Sequence, residues 1–268
     1  MSLLPDPVTL LPAVLAAARR AGEIAMAAYR PGARTSAGVQ SKEGGSPVTE
    51  ADHAVDRMLR AELGALDPGA GWLSEESIDT PDRLERVRVF IVDPIDGTRA
   101  FMIGDPRWAV SIAVVDDGVP VLGVLHLPAL GRTYTAIAGA GAQIDGAAAR
   151  VSQAPSLSGG RIAGPVPMLD HLGRRGLDFL PQPKIPSLAY RLAMVGSGEI
   201  EAGLASTNSH DWDIAAADLI VHEAGGRLTD LSGRRPVYNR PSPRHGVLAA
   251  APQRIHDELT AMMRRDQP

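Results

Sequence analysis

The 268-residue sequence contains no cysteine. That excludes disulfides, thiolate nucleophiles and zinc or iron–sulfur centres held by sulfur, and it fits a reducing compartment. Aromatic residues are scarce, and the three Trp are too scattered to form a platform for stacked bases. Neither sign of charge dominates: 27 Lys and Arg face 31 Asp and Glu, for a net charge of −4, so nothing electrostatic points to a nucleic-acid polymer as partner. No apolar run is long enough to cross a membrane. The stretch Val8–Tyr29 is interrupted by Arg19, Arg20 and Glu23, and it lacks the basic start of a signal peptide. There is no internal repeat, no low-complexity tract and no G-x-x-x-x-G-K-[ST] loop. The expectation is a soluble, cytoplasmic protein with a sizeable core, built as one large domain or two fused halves.

What is present begins with an amphipathic helix over Val8–Tyr29, ended by Pro31-Gly32. Thr35–Pro47 is rich in Ser, Gly and Lys and reads as a mobile loop. Thr49 then caps a helix over Glu50–Leu66, with Asp52 at the third position where a capping acid falls. Strand-like runs follow at Val87–Val92, Trp108–Val115, Val119–His126 and Arg132–Ala138, with a hairpin signal at Asp116-Asp117-Gly118. Composition shifts at Ser152–Ser158, which divides the chain into halves 1–150 and 151–268. The second half alternates: strand Arg161–Ala163, helices Leu169–Arg174 and Leu188–Ser197, strand Glu201–Ala205, helix Trp212–Glu223, strand Arg227–Thr229 and a last helix over Gln253–Arg264. A polar tail expected to fray follows Arg265. This order predicts a layered α+β architecture with two sheets.

The chemistry concentrates in Asp93-Pro94-Ile95-Asp96-Gly97-Thr98. A strand delivers Asp93, Pro94 keeps it extended and stops the strand, and Asp96 follows in a turn released by Gly97. Two carboxylates and the Ile95 carbonyl can converge there, the oxygen set that hard divalent cations take. The amides of Gly97 and Thr98 could hold an anion if they open a helix. The same D-P-x-D-G pattern is also ordinary turn chemistry, with both aspartates bonding backbone. Glu75-Glu76, Asp213 and Asp52 each read alone as a solvated face or a helix-start charge. Together, four acidic positions at element ends match a multi-metal carboxylate site. By contrast, Gly139-Ala140-Gly141-Ala142 lacks the third glycine of a dinucleotide fingerprint and reads as a turn. His210 reads as a capping or surface residue and His126 as structural, and the serines near Pro155 lack a nucleophile-elbow context.

Glu75-Glu76-Ser77, Asp93-Pro94-Ile95-Asp96-Gly97-Thr98, Trp212-Asp213-Ile214-Ala215-Ala216, Glu223-Ala224-Gly225-Gly226 and Val48-Thr49-Glu50-Ala51-Asp52 resemble, in that combination, the inositol monophosphatase family of Mg²⁺-dependent, lithium-sensitive phosphatases. The resemblance implies an αβαβα sandwich and two or three Mg²⁺ ions. It implies Glu75, Asp93, the Ile95 carbonyl, Asp96 and Asp213 as metal ligands, with Glu75 also counted in catalysis. Asp52 and Thr98 would activate the attacking water, the Gly97 and Thr98 amides would hold the phosphate, and Lys42 would help close the site. The expected partner is a small phosphorylated substrate, with neither nucleic-acid polymer nor membrane involved and homodimerisation left open.

Substrate choice rests on fewer residues. Inositol-specific members carry an acid seven positions before the helix aspartate, where this sequence has Ser206. Arg99 after Thr98 leans toward the 3′(2′),5′-bisphosphate nucleotidase branch, although Ala100 does not complete that pattern. Arg99 could equally be a surface cation paired with Asp105 or Asp116. A bisphosphate nucleotidase is the leading expectation, inositol-1-monophosphatase the alternative, fructose bisphosphatase third, and a non-catalytic metal-binding protein the remote one.

Overall fold

The structure is a computed structural model and describes residues 4–42 and 45–264. Helix α1 (Pro7–Ala28) starts where Asp6 accepts the Val8 amide at 2.8 Å and ends at Ala28, with Tyr29 as its C-cap, so each end lies one residue from the expected Val8–Tyr29. The expected loop Thr35–Pro47 is not loop throughout: Val39–Ser41 (β1) and Pro47–Thr49 (β2) pair as an antiparallel ribbon, with Val39 opposite Thr49. The polar residues between these short strands hide them from a composition reading. Residues 43 and 44, where that loop was expected to be mobile, lie outside the described residues, as does the tail after Arg265. Helix α2 (Glu50–Leu66) has the predicted bounds, with both capping-box bonds formed between Thr49 and Asp52.

A seven-stranded sheet follows in the spatial order of the chain: β3 (Gly71–Ser74), β4 (Arg88–Asp96), β5 (Ala109–Asp116), β6 (Val119–Leu127), β7 (Arg132–Ile137), β8 (Gly141–Ile144) and β9 (Ala147–Ala148). β3 and β4 are parallel and the other pairs antiparallel. The β5–β6 hairpin turns at Asp117-Gly118, both at positive φ (48° and 79°), as a primed turn requires. Pro94 does not end its strand as expected. β4 continues to Asp96, and the register with β5 shifts between Asp93 and Asp96, so the proline sits in a bulge where no ladder donor is needed. A short helix α3 (Thr98–Ile103) follows.

The second half forms a five-stranded sheet and its helices. In chain order these are β10 (Arg161–Ala163), α4 (Val166–Arg174), β11 (Leu180–Pro181), α5 (Leu188–Gly196), β12 (Ala202–Ala205), β13 (Ser209–His210), α6 (Asp211–Glu223), β14 (Gly226–Asp230), β15 (Arg244–His245), β16 (Leu248–Pro252) and α7 (Gln253–Met263). The sheet order is β11-β10-β12-β16-β14, while β13 and β15 pair with each other as a small ribbon.

The layers are α1 and α2, the seven-stranded sheet, α5 and α6, the five-stranded sheet, then α4 and α7. This is the expected αβαβα sandwich. α6 packs closely on the first sheet, because a Cβ on Gly123 in β6 would lie 2.8 Å from the Ala216 carbonyl oxygen. One hydrophobic core runs from Leu73 and Ile91 through Leu192, Ile214 and Ile220 to Leu228 and Leu248, so the inner helices join both sheets. No described helix is long and apolar enough to cross a membrane.

Candidate active site

Parallel pairing aligns Ser74 of β3 with Val92 of β4, so the next residues, Glu75 and Asp93, leave the sheet side by side. The N-terminus of α6 brings Asp213 to them across 120 residues of sequence. Glu75, Asp93 and Asp213 each offer an oxygen, all within 4.8 Å of one another. Asp93 makes the turn bond its sequence allows, Oδ1 accepting the Ile95 amide at 3.0 Å, while Oδ2 is buried with no hydrogen-bond partner among the described residues. An orphaned carboxylate oxygen inside a protein is costly. An all-oxygen cluster with one such atom fits a hard divalent cation. Burial, then the charges of Glu75, Asp96, Asp213 and Asp52, push the Asp93 carboxyl well above the usual range.

Asp96 adjoins this trio but spends its oxygens elsewhere. Ser187 Oγ and the Ala189 amide donate to Oδ2 at 2.5 and 2.7 Å, and the Leu188 amide donates to Oδ1 at 3.2 Å. Asp96 therefore caps α5 from the neighbouring sheet. Burial and the charge of Asp213 push its carboxyl up to about 7, against the pull of those donors.

Asp52, in the first turn of α2, is buried and held through Oδ2 by the Thr49 amide at 2.8 Å and the Thr49 hydroxyl at 2.5 Å. Its Oδ1 lies 3.2 Å from Thr98 Oγ1, which is also 3.1 Å from the Ile95 carbonyl oxygen. Burial raises the Asp52 carboxyl above its ordinary range despite these bonds. Four residues on, Asp56 accepts from Ser74 at 2.5 Å and from Ser77 at 2.6 Å, gripping both sides of Glu75-Glu76.

Lys42 Nζ donates to Glu75 Oε1 and Glu76 Oε1, each at 2.7 Å, and so touches the edge of the cluster. Burial works against its charge, but the two glutamates outweigh it and raise the ammonium. Burial lifts the Glu76 carboxyl to about 7 in spite of the lysine.

The carboxylates open into a cavity of about 230 Å³ that Gly97, Thr98, Arg99 and Lys184 also line. Gly97 sits at φ 93°, and a Cβ there would lie 3.3 Å from the Ser187 nitrogen, so both conformation and space call for glycine. Its amide and that of Thr98 stand at the start of α3, where no intrahelical acceptor exists. Arg99 does not pair with Asp105 or Asp116, the alternative its sequence context allowed. Arg107 holds Asp105, and Arg88 holds Asp116 at 2.7 Å. Arg99 and Lys184 are exposed and have no carboxylate partner among the described residues. Ser206 lies exposed after β12 and does not line the cavity. His210 donates its backbone amide to Asp213 Oδ2 at 2.6 Å and stacks on Trp212 at 4.6 Å, as a helix-start residue does.

Sequence reasoning missed Lys184, Ser187 and Asp56. Ser187 carried a findable signal, an N-cap serine directly before an apolar helical run. Lys184 and Asp56 carried none, because their partners come from distant segments.

A profile of the inositol monophosphatase family matches residues 6–267. The chain is 36% identical over 234 residues to a histidinol-phosphatase of Mycobacterium tuberculosis, covering 82% of this chain and 86% of that protein. It is 31% identical over 252 residues to the 3′(2′),5′-bisphosphate nucleotidase CysQ of Aggregatibacter actinomycetemcomitans, covering 86% and 88%. Among solved structures it resembles the Thermotoga maritima IMPase, with a TM-score of 0.81, 32% identity and coverage of 94% and 96%.

Proposed function

The chain belongs to the inositol monophosphatase family of metal-dependent phosphatases, and we propose that it hydrolyses a small phosphate monoester bearing a second anionic group, best matched by a 3′(2′),5′-bisphosphate nucleoside. The observation that carries this reading is the pair Arg99 and Lys184, two cations that line the carboxylate cavity and have no carboxylate partner among the described residues. A second phosphate would be held there by charge-assisted hydrogen bonds. An imidazole- or amine-bearing ester would set its own cation against them. The nucleotidase named among the relatives supports the reading.

Glu75, Asp93, Asp213 and the Ile95 carbonyl, with Asp96 beside them, would hold two or three Mg²⁺ ions, and Li⁺ would inhibit by competing for the same oxygens. When bound, Mg²⁺ neutralises charge on the phosphate and makes an attacking water more acidic. The chain's own groups do the rest. Thr98 Oγ1 donates its one proton to Asp52 or to the Ile95 carbonyl, which leaves its lone pairs to accept from a water. Asp52, fixed by Thr49 and raised in basicity by burial, takes up the proton that the water releases. The Gly97 and Thr98 amides, at the start of α3, would hold phosphate oxygens.

The test is phosphate release from adenosine 3′,5′-bisphosphate, inositol 1-phosphate and histidinol phosphate, side by side over a Mg²⁺ titration. A kcat/KM preference of about a hundredfold for the bisphosphate, ~2.7 kcal/mol of transition-state discrimination, is expected. A comparable preference for either other ester overturns the substrate assignment. Hydrolysis of none of the three would favour the non-catalytic metal-binding alternative.

A further inference from the structure

The segment joining β14 to β16 carries Arg234, Arg235, Arg240 and Arg244 within eleven positions, in a chain whose net charge is −4. All four line a second cavity, of about 360 Å³, which shares no lining residue with the carboxylate cavity. Two of the arginines are anchored. Arg234 Nε donates to Asp230 Oδ2 at 3.0 Å, and Arg235 Nε donates to the fully buried Asp218 at 3.1 Å. Asp230 is the one carboxylate in the lining, and its other oxygen is already taken by the Ser232 amide and hydroxyl and the Arg234 amide. Arg240 and Arg244 are exposed and have no carboxylate partner among the described residues.

The backbone that presents them is stiff. Pro236, Pro241 and Pro243 fix three of its φ angles, so little chain entropy is lost in gathering like charges. Its far end is tied to α6: the Asp211 amide donates to the Pro243 carbonyl at 2.8 Å, and the buried Asp211 carboxylate takes His245 Nε2 at 2.7 Å and the Asn239 amide at 2.9 Å. A concave, preorganised cluster with an excess of guanidinium groups suits phosphate oxygens, which arginine binds in bidentate fashion. One phosphate would occupy one guanidinium. Two free arginines beside two anchored ones fit a ligand with more than one phosphate. The modest size of the cleft, about 360 Å³, and the overall acidity of the chain favour a small molecule over a polymer.

We propose that this cavity is a second binding site, for a small anion carrying two or more phosphate groups, separate from the substrate cavity and independent of which ester the enzyme cleaves. The probe is inorganic tripolyphosphate, titrated as its Mg²⁺ complex into the full-length Mg²⁺-loaded protein by calorimetry, with Arg240→Glu/Arg244→Glu as the comparison. Both side chains are exposed, and a thermal melt checks that the variant folds. The wild type is expected to bind one equivalent more than the variant, with inorganic phosphate at the extra site at least about tenfold weaker than tripolyphosphate. Equal stoichiometry and affinity in the two proteins would overturn the proposal. So would an arginine-dependent site that prefers a single-stranded oligonucleotide to tripolyphosphate, since that would mark a nucleic-acid face.

Discussion

Ser187 donates its hydroxyl to Asp96 at 2.5 Å, across 91 residues of sequence, so a carboxylate at the end of the first sheet caps a helix that lies between the two sheets. The same hydroxyl accepts the Tyr190 amide at 3.0 Å. Ser187→Ala removes both bonds, and the expected cost is about 1–2 kcal/mol of stability. Thermal or urea unfolding checks this. Asp96 keeps two amide donors, so activity should fall less than stability suggests.

Asp93→Asn keeps the bond from the Ile95 amide but replaces the orphaned oxygen with a neutral group. Turnover should drop by more than about a hundredfold, beyond what loss of an outer-shell partner of a metal site costs. The melting temperature of the metal-free protein should hold or rise, because a buried, crowded charge is gone. A variant with wild-type turnover at saturating Mg²⁺ would remove Asp93 from the site.

Asp56 touches none of the carboxylates that would hold metal, yet Ser74 and Ser77 bind it on either side of Glu75-Glu76. Asp56→Ala leaves the buried Ser74 hydroxyl and the half-buried Ser77 hydroxyl without their acceptor. The expected result is about 1–3 kcal/mol of lost stability and an activity curve shifted to Mg²⁺ concentrations about 10- to 100-fold higher. Activity measured against Mg²⁺ concentration separates this from a purely structural effect, since higher Mg²⁺ should restore much of the rate.

The metal-free protein should become less stable as pH rises. The carboxyls of Asp96 and Glu76 stand at about 7, above ordinary values of 3.8 and 4.5. A raised carboxyl contributes stability that is complete below its unfolded value and is lost as pH climbs through its folded value. Melting in EDTA should therefore fall between pH 5 and pH 8. Added Mg²⁺ should reverse the trend, because it binds the deprotonated cluster. A melting temperature that rises with pH in EDTA would contradict the electrostatics described for the cluster.

Much of this arrangement was legible in the sequence, for local reasons. The Thr49–Asp52 capping box, the Asp117-Gly118 hairpin and the acids at element ends are each set by neighbours within a few positions. The Asp93 turn left two readings open: one oxygen makes the turn bond, and the other is buried without a hydrogen-bond partner among the described residues. What escaped depends on distant packing. β16 is the Ala-rich run Leu248–Pro252, with no β-branched residue to mark a strand, and it is a strand because β12 and β14 flank it. Pro94 was expected to end β4, but a bulge accommodates it. Lys184 lines the cavity from a segment whose Lys184 carbonyl Arg107 holds at 2.8 Å from 77 positions away.

Charge reversal on the rim of the carboxylate cavity tests the central claim most directly. In Arg99→Glu/Lys184→Glu, kcat/KM for adenosine 3′,5′-bisphosphate should fall at least about tenfold more than kcat/KM for a monoester without a second charge, since hydrogen bonds to charged groups carry about 1.5–3 kcal/mol each. Equal losses for both esters, or none, would contradict the assignment of Arg99 and Lys184 to the second anionic group.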